Sequence, residues 1–569
     1  MSEPGLTLLQ REMPDGQTRW FTYRNPLRTL EAWTPSDMPA LFREAEAARD
    51  EGLHAVGWVA YEAAPAFDPH LTTHPPMPGL PLARFRIYPH ATPGLPPATA
   101  PLAPCTDWSA AFSPEAFAAH VRTIRTAIAR GETYQVNFTA PNTARFQGDP
   151  LTLFHTLRLA QSARHQAYLD EGDQVILCVS PERFFHLAGE HIRCRPMKGT
   201  APPHAREQLA TSTKDLAENV MIVDMIRNDL GKIARPGSVQ VPRLFEIETY
   251  PSLHQLTSTI EARGHASVFD WFQALFPCAS ITGAPKRKTM EWIRQLETGP
   301  RGIYTGAIGG LFPDGHTEFN VAIRTAILSR STQTLRFDTG CGIVWDSDPD
   351  AEYRESQLKT HVIRQPPPPF QLIETLQHDP ASPPRWPRHR DRLLRAAAEF
   401  GFPLTPQTLD ADFAAHTASL TSPAKVRLLV DPDGTCHWTL SPPPPPVTAW
   451  SFAVDTVPTP SDHPALRHKT TRRQIYDEAA ARFPRHDEVL LVNERGELME
   501  FRFGNLLVNL DGNWFTPPQH SGLLPGTTRA QLLQSGDIRE RILRPADLAH
   551  ADAIQLINAV RGRLPMIYK

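Results

Sequence analysis

"STKDLAENVMIVDMIRNDLG", residues 212–231, is the stretch on which the reading of this chain turns. Ser212 or Thr213 can cap a helix start, and Gly231 stands where a left-handed C-terminal cap is expected. Leu216, Val220, Val223, Ile226 and Leu230 form one apolar stripe, and Met221, Ile222 and Met225 form a second. That pattern predicts a helix that is apolar on most sides and therefore buried. Its polar residues, Glu218, Asn219, Asp224, Asn228 and Asp229, then need partners, because an unpaired buried carboxylate is costly. Ion pairing suits Asp224 and Asp229, and a metal ion suits Glu218.

Working outward, "RCRPMKGTAP" (193–202) sets Lys198 at what reads as a strand end, beside Gly199. Spacing alone leaves Lys198 evenly balanced between a turn charge at the surface and a reactive amine. "SITGAPKRKTMEWI" (280–293) reads as a strand, a glycine turn and a helix with Pro285 at its first position, a kind of start that favours anions. "TEFNVAIRTAIL" (317–328) alternates as one strand; Arg324 lies among small neighbours, as a carboxylate clamp or as a solvated charge. In "DTGCGIV" (338–344), Gly340 and Gly342 can let backbone N–H groups approach an anion. "DAEYRESQLK" (350–359) predicts a helix with Glu352 and Glu355 on one face. A Glu355–Lys359 surface pair is the plain reading there; oxygen ligation of Mg²⁺ together with Glu218 is the other. Together these features suggest a small substrate with more than one carboxylate, plus Mg²⁺.

With 569 residues the chain exceeds what one core supports, so at least two domains are expected. A hydrophobic content of 41% and a net charge of -3 describe an ordinary globular protein and give no case for nucleic acid or anionic membrane as partner. No secretion signal or membrane-crossing apolar run is visible, and the six cysteines form no C-x-x-C pair. Neither zinc nor a disulfide framework is expected, and a cytoplasmic setting is. The 58 prolines concentrate in three places. His74–Pro104 reads as a surface excursion. "RQPPPPF" (364–370) marks the main boundary, giving domains 1–365 and 371–569 around a linker at 366–370. "SPPPPPV" (441–447) divides the second domain into two lobes.

The ordered strings of residues 1–365 resemble the chorismate-utilising enzymes. They are "GETYQVNFT" (131–139), "SPERF" (180–184), "RPMKGT" (195–200), "DLAENVMIVDMIRNDLG" (215–231), "HQLTSTI" (254–260), "ITGAPK" (281–286), "AIRT" (322–325), "GCGIV" (340–344) and "EYRES" (352–356). The resemblance implies an α+β fold of large antiparallel sheets flanked by helices. Isochorismate and salicylate synthases of this family carry a lysine where this chain has Gln135. Anthranilate synthases carry a small residue where it has Lys198. Lysine in P-x-K-G-T resembles the aminodeoxychorismate synthase branch. That likeness implies Lys198 as nucleophile at C2 of chorismate and Glu182 as the acid that assists departure of the C4 hydroxyl, with ammonia entering at C4. It implies Mg²⁺ on Glu218 and Glu355 with Glu352 beside them, and Arg195 as a cation near Lys198. Substrate contacts are implied for Gln135, Thr200, His254, Thr282, Gly283, Tyr304, Arg324, Gly340 and Gly342. No cysteine lies in a Gly-x-Cys-x-Gly setting, so the ammonia is expected from a separate glutamine amidotransferase or from free ammonium.

In the second region, "LRHKTTRRQIYDEAAARF" (466–483) puts Lys469 just before a helix that Thr470 or Thr471 can cap. "NERGELMEFRFGNLLVN" (493–509) reads as a hairpin turn and a strand carrying Glu500, and "LLPGTTRAQLL" (523–533) as a Gly-Thr-Thr turn opening a helix suited to phosphate. With "FQLIETL" (370–376), "HRDRLLRAAAEFGF" (389–402) and "LINAVRG" (556–562), the order resembles the fold-type-IV pyridoxal-phosphate family, aminodeoxychorismate lyases in particular. The resemblance implies a two-lobed domain whose Lys469 carries the cofactor. Glu500 would hold the pyridine nitrogen protonated, and Arg392, Thr527 and Thr528 would bind the phosphate. Loss of pyruvate from the first domain's product would then give 4-aminobenzoate. Three other readings stay open: an anthranilate synthase component, a synthase joined to another aminotransferase, and a synthase joined to a non-catalytic scaffold.

Overall fold

The computed structural model describes residues 5–13, 18–97, 102–161, 163–201, 206–250, 253–366, 370–382 and 385–569. The chain divides into two compact units, residues 1–248 with 252–368, and residues 369–569 with 249–251. The Pro-rich residues 367–369 of the expected linker lie outside the described residues.

Two ten-stranded sheets build the first unit. One includes Gln135–Arg145, Thr334–Ile343, Thr325–Ser329, Gln174–Ser180, His165–Asp170 and Thr7–Glu12 as successive neighbours. The other includes Met197–Ala201, Leu253–Arg263, His191–Arg195, Arg183–Ala188, His316–Val321 and Ala307–Leu311. Leu9, Ala167, Leu169 and Ile176 of one sheet share a core with Val56, Trp58, Tyr88 and Ile308 of the other. Helices supply apolar side chains to the remaining cores. Strands covered on both faces carry near-continuous apolar runs, which is why Val175–Ser180 is buried throughout.

The chain crosses from the first sheet to the second at Pro181–Glu182 and returns at Ala322–Arg324. Backbone hydrogen bonds hold the two crossings side by side: Val179 N–H donates to Arg324 O, and Val321 N–H donates to Glu182 O, both at 3.1 Å. This corrects the reading of 317–328 as one strand. His316–Val321 and Thr325–Ser329 belong to different sheets, and Arg324 between them has φ 50°. A strand that changes sheet has to leave its ladder, and apolar cover on both sides hides the break from any alternation pattern.

The helix Thr213–Gly231 is amphipathic rather than buried all round, with Ile222, Val223, Ile226 and Leu230 inward and Val220 39% exposed. Ser212 caps it by accepting from Asp215 N–H at 3.2 Å, but Gly231 is its last helical residue and Lys232 follows in right-handed conformation, so the expected left-handed cap is absent. Asp224 pairs with Arg227 on the surface, and Asp229 with Lys232 and Lys286 at 2.7 and 3.1 Å. Asn219 accepts from the Ser258 hydroxyl at 2.6 Å. At 280–293 a 3-10 turn, Ala279–Ile281, stands where a strand was expected, and Pro285 is the residue before the helix Lys286–Leu296. The Pro-rich stretch 74–104 is not all surface: Ala83–Tyr88 is a largely buried strand paired with His54–Val59.

In the second unit, the antiparallel strands Leu372–His378, Ala424–Val430 and Cys436–Ser441 carry the helices Trp386–Phe400 and Pro406–Thr417 in sequence between the first two. An eight-stranded mixed sheet follows, with Phe452, Leu490, Leu498, Leu506 and Leu556 in its core. Thr470 bridges to Leu372, and Thr471 Oγ1 accepts from Gln371 N–H, so neither caps the helix Gln474–Arg482, which starts after Arg473. Among the described residues no helix is long and apolar enough to cross a membrane.

Candidate active sites

A cavity of about 180 Å³ lies in the first unit, where the two crossings meet the strands Met197–Ala201 and Thr334–Ile343. Glu182, Lys198, Tyr304, Arg324, Gly340 and Gly342 line it, together with Glu218, Glu352 and Glu355. Lys198 reaches it because the ladder against Leu253–Arg263 shifts register between Met197 and Thr200, and Gly199 has φ 82°. Such an irregularity re-aims a side chain out of the sheet's alternation. Lys198 is therefore not a surface turn charge. Arg195 is not its companion cation: it pairs with Glu246 and Glu248 at 3.3 and 2.8 Å.

Glu182 is buried, and desolvation pushes its carboxyl up to about 7, with the Ser280 hydrogen bond and the Lys198 charge pulling the other way. A carboxyl so placed holds its proton near neutrality and can give it to a leaving hydroxyl. Arg324 has its pKa lowered by burial, with Tyr304 and Glu355 opposing. Gln135 is fully buried, and neither its amide oxygen nor its amide nitrogen has a hydrogen-bond partner among the described residues. A Cβ on Gly342 would lie 2.7 Å from Gln135 Nε2 and 3.1 Å from Lys198 Nζ. Gly340 and Gly342 sit inside the ladder opposite Thr139 and Asn137, so what they supply is room rather than a free anion nest.

The carboxylates are interleaved with ammonium groups. Lys214 Nζ lies 3.9 Å from Glu218 and 3.7 Å from Glu352; Lys359 Nζ donates to Glu355 and to Gly340 O, both at 2.7 Å. Burial raises the pKa of Glu218. Burial also works on Glu355, but Lys359, Lys214 and Lys198 together hold it below the usual carboxylate value. Cys341, Glu352 and Glu355 offer ligand atoms within 4.8 Å of one another. The Cys341 thiol donates to Glu352 O at 3.2 Å and burial keeps it protonated, which leaves oxygen donors alone.

Other expected contacts stand behind the wall. Thr282 donates its hydroxyl to Cys278 O at 3.0 Å, Gly283 packs against Gln135 O, and His254 is buried in the ladder opposite Ala201; none of them lines the cavity. The side chain of Thr200 lies outside the described residues. Sequence reading passed over Ser280, Lys214 and the buried Arg301, whose guanidinium binds Glu297, Asn137 O and Ile281 O. Lys214 was signalled by its i,i+4 spacing to Glu218. Arg301 had no such signal, since its partners are distant in sequence.

In the second unit, burial together with Arg392 and Arg473 pushes the Lys469 amine down to about 8, against the pull of Glu374 and Glu500. Glu500, on the strand Leu498–Phe501, accepts from Tyr476 OH at 2.7 Å, Leu524 N–H at 3.0 Å and Asn505 Nδ2 at 3.0 Å. Desolvation nevertheless raises its carboxyl to about 7. Thr527 and Thr528 open the helix Thr527–Ser535 after Gly526, where a Cβ would meet Asn505 Oδ1 at 1.9 Å. Arg392 turns its fork onto Glu374 at 2.9 and 2.7 Å, leaving Nη1 on Pro525 O at 3.2 Å. His389 joins the same carboxylate at 2.6 Å through Nδ1 and Thr527 Oγ1 at 3.0 Å through Nε2. With Nδ1 donating to Glu374, Nε2 accepts, so the Thr527 hydroxyl is committed to His389. Glu374 and His389, missed in the sequence, thus hold two of the three expected phosphate contacts.

A sequence profile of the chorismate binding enzymes matches residues 9–365. The chain belongs to that family. A second profile, amino-transferase class IV, matches residues 371–566 of this chorismate binding enzyme. Over 246 residues, 42% of the chain, it is 44% identical to aminodeoxychorismate synthase component 1 of Salmonella typhimurium, covering 54% of that protein. Over 266 residues, 45% of the chain, it is 41% identical to aminodeoxychorismate synthase component 1 of Klebsiella aerogenes, covering 58% of it. The chain thus spans a little over half the length of these relatives. Anthranilate synthase component I from Streptococcus pneumoniae shares the fold, with a TM-score of 0.54 at 24% identity over 64% of this chain and 93% of that one. The whole is an α+β protein with a chorismate binding enzyme fold, followed by a region that matches the class IV amino-transferases.

The residues present fit both expected groups. Glu352 and Glu355, with ligand atoms within 4.8 Å of one another, and Glu218 on the same cavity wall offer the hard oxygen donors that Mg²⁺ prefers. A class IV aminotransferase domain implies pyridoxal phosphate. Lys469, Glu500 and the helix start at Thr527 are a donor set that would hold its aldehyde, ring nitrogen and phosphate.

Proposed function

We propose that this protein makes 4-aminobenzoate in two steps: residues 1–365 aminate chorismate at C4, and residues 371–569 eliminate pyruvate from the product. The observation that carries the first step is Lys198 sharing one cavity with a buried Glu182 that keeps its proton near pH 7. Lys198 attacks C2 of chorismate while Glu182 protonates the departing C4 hydroxyl, since hydroxide leaves poorly. Ammonia then adds at C4, and the bond from C2 to Lys198 breaks. Arg324 and Tyr304, which line the cavity, address the substrate's carboxylate; Gln135, beside Gly342 and with no hydrogen-bond partner among the described residues, has a free amide for the ring side. Mg²⁺ on Glu218, Glu352 and Glu355 would offset the ring carboxylate's charge. The relatives' designation as component 1 supports a separate glutamine amidotransferase as the ammonia source.

For the second step, bound pyridoxal phosphate would act as the electron sink. Lys469, an amine available near pH 8, removes the C4 proton, and Glu500 keeps a proton on the ring nitrogen. The test supplies purified protein with chorismate, Mg²⁺ and an ammonium salt and identifies the aromatic product. Expected is 4-aminobenzoate. Anthranilate would overturn the first assignment, and aminodeoxychorismate accumulating in the pyridoxal-phosphate-loaded protein would overturn the second.

A further inference from the structure

Glu182 is held by more than its place at a sheet crossing. Ser280, in the 3-10 turn Ala279–Ile281, donates its hydroxyl to Glu182 Oε1 at 2.6 Å. Cys278 Sγ lies 3.2 Å from Ser280 Oγ and 4.0 Å from the same Oε1. All three side chains are buried. Burial pushes the Cys278 thiol up to about 12, so it stays protonated and keeps a hydrogen to give. The Ser280 hydroxyl accepts from the thiol and donates to the carboxyl, its other recorded neighbour. With the thiol's one hydrogen turned to Ser280, the Ser280 hydroxyl is the side-chain donor that addresses Oε1.

A neutral carboxyl has two oxygens and one proton. When Oε1 is already accepting from Ser280, the proton is better placed on Oε2 than against that donor. Resting on the reading of Glu182 as the acid, we propose that Ser280 is a positioning residue. It reserves Oε1 and so sets the transferable proton on Oε2, towards the cavity that Glu182 lines, while Cys278 orients the Ser280 hydroxyl. The chemistry of the step is unchanged: the proton passes from Glu182 Oε2 to the C4 oxygen as the C4–O bond breaks, leaving the carboxylate with Ser280 still donating to Oε1.

No local spacing signals this contact, because Ser280 and Glu182 are 98 positions apart. The hydrogen bond also draws the carboxyl's pKa down against burial. Removing it lets Glu182 keep its proton to higher pH but frees that proton to settle on either oxygen.

The experiment combines kinetics with infrared difference spectroscopy on the full chain, using Glu182→Gln to assign the Glu182 carbonyl band. Ser280→Ala is expected to carry that band to higher frequency and to preserve it at higher pH. Its amination kcat should fall roughly tenfold, the scale of a lost hydrogen bond to a charged group, with KM unchanged. Ser280→Thr, which keeps the hydroxyl, should restore both. If Ser280→Ala does not fold, Ser280→Cys, with a weaker donor in similar volume, carries the same expectation. An unchanged band and titration would overturn the proposal, and so would a raised KM with kcat intact. If the wild-type chain makes no aminated product, the proposed function falls, while the band still reports whether Ser280 governs the Glu182 proton.

Discussion

The two units each offer one lysine in a candidate site, and the two lysines have opposite company. Lys198 shares its cavity with six carboxylates, Glu182, Asp215, Glu218, Asp338, Glu352 and Glu355, and with Lys214 and Lys359. Lys469 has Arg392 and Arg473 pressing on it, and burial with these cations brings its amine down to about 8. The second site readies an amine by withdrawing water and gathering positive charge. The first spreads both signs of charge around an opening that an anionic substrate and a hard cation can enter. In the proposed function one residue type would serve two chemistries, with its surroundings deciding which.

The largest effect is expected at the second lysine. Lys469→Ala should lose the visible absorbance of bound pyridoxal phosphate and lower pyruvate release by roughly a thousandfold or more, while amination of chorismate continues. Next, Lys198→Ala should lower amination by about a hundredfold and leave turnover of supplied aminodeoxychorismate intact. Loss of both activities in either variant, with the fold preserved by circular dichroism, would contradict separate sites.

The contrast in company has a pH signature. Lys469 has its pKa depressed to about 8, so its ammonium form prevails below that value and its neutral amine above it. The rate at which cofactor-free protein takes up pyridoxal phosphate should therefore rise roughly tenfold per unit towards pH 8 and level off beyond it. A flat profile in stopped-flow absorbance would remove the proposed tuning. The smallest effect is expected from Gly342→Ala. Its new Cβ falls 2.7 Å from Gln135 Nε2 and 3.1 Å from Lys198 Nζ, so KM for chorismate should rise several-fold with little change in thermal stability.

Much of the fold was legible because it was written in ordered local strings. The helix at Thr213–Gly231, the carboxylates three residues apart on Pro349–Arg364 and the Gly-Thr-Thr helix start all appear where their spacing placed them. Errors gathered where a partner comes from elsewhere in the chain. The pattern of 213–231 predicts a buried helix because its methionines make most sides apolar, and only the neighbouring elements decide which face is covered. The break at Arg324 was hidden because the alternation of residues 317–328 runs on through it, and both flanking strands are buried.

The sequence by itself determined which groups exist and how they are spaced within an element: Lys198 beside Gly199, Glu352 and Glu355 on one helical face, Lys469 ahead of a helix. Short-range geometry and propensity fix such facts, and they require nothing distant. Tertiary structure alone decided which groups meet. Glu182 reaches Ser280 across 98 positions, Arg392 turns to Glu374 and not outward, and Gln135, beside Gly342, has no side-chain partner among the described residues. The physical reason is burial. Removing water raises the cost of every unpaired charge, and which partner meets that cost depends on how the sheets close and not on the order of residues along the chain.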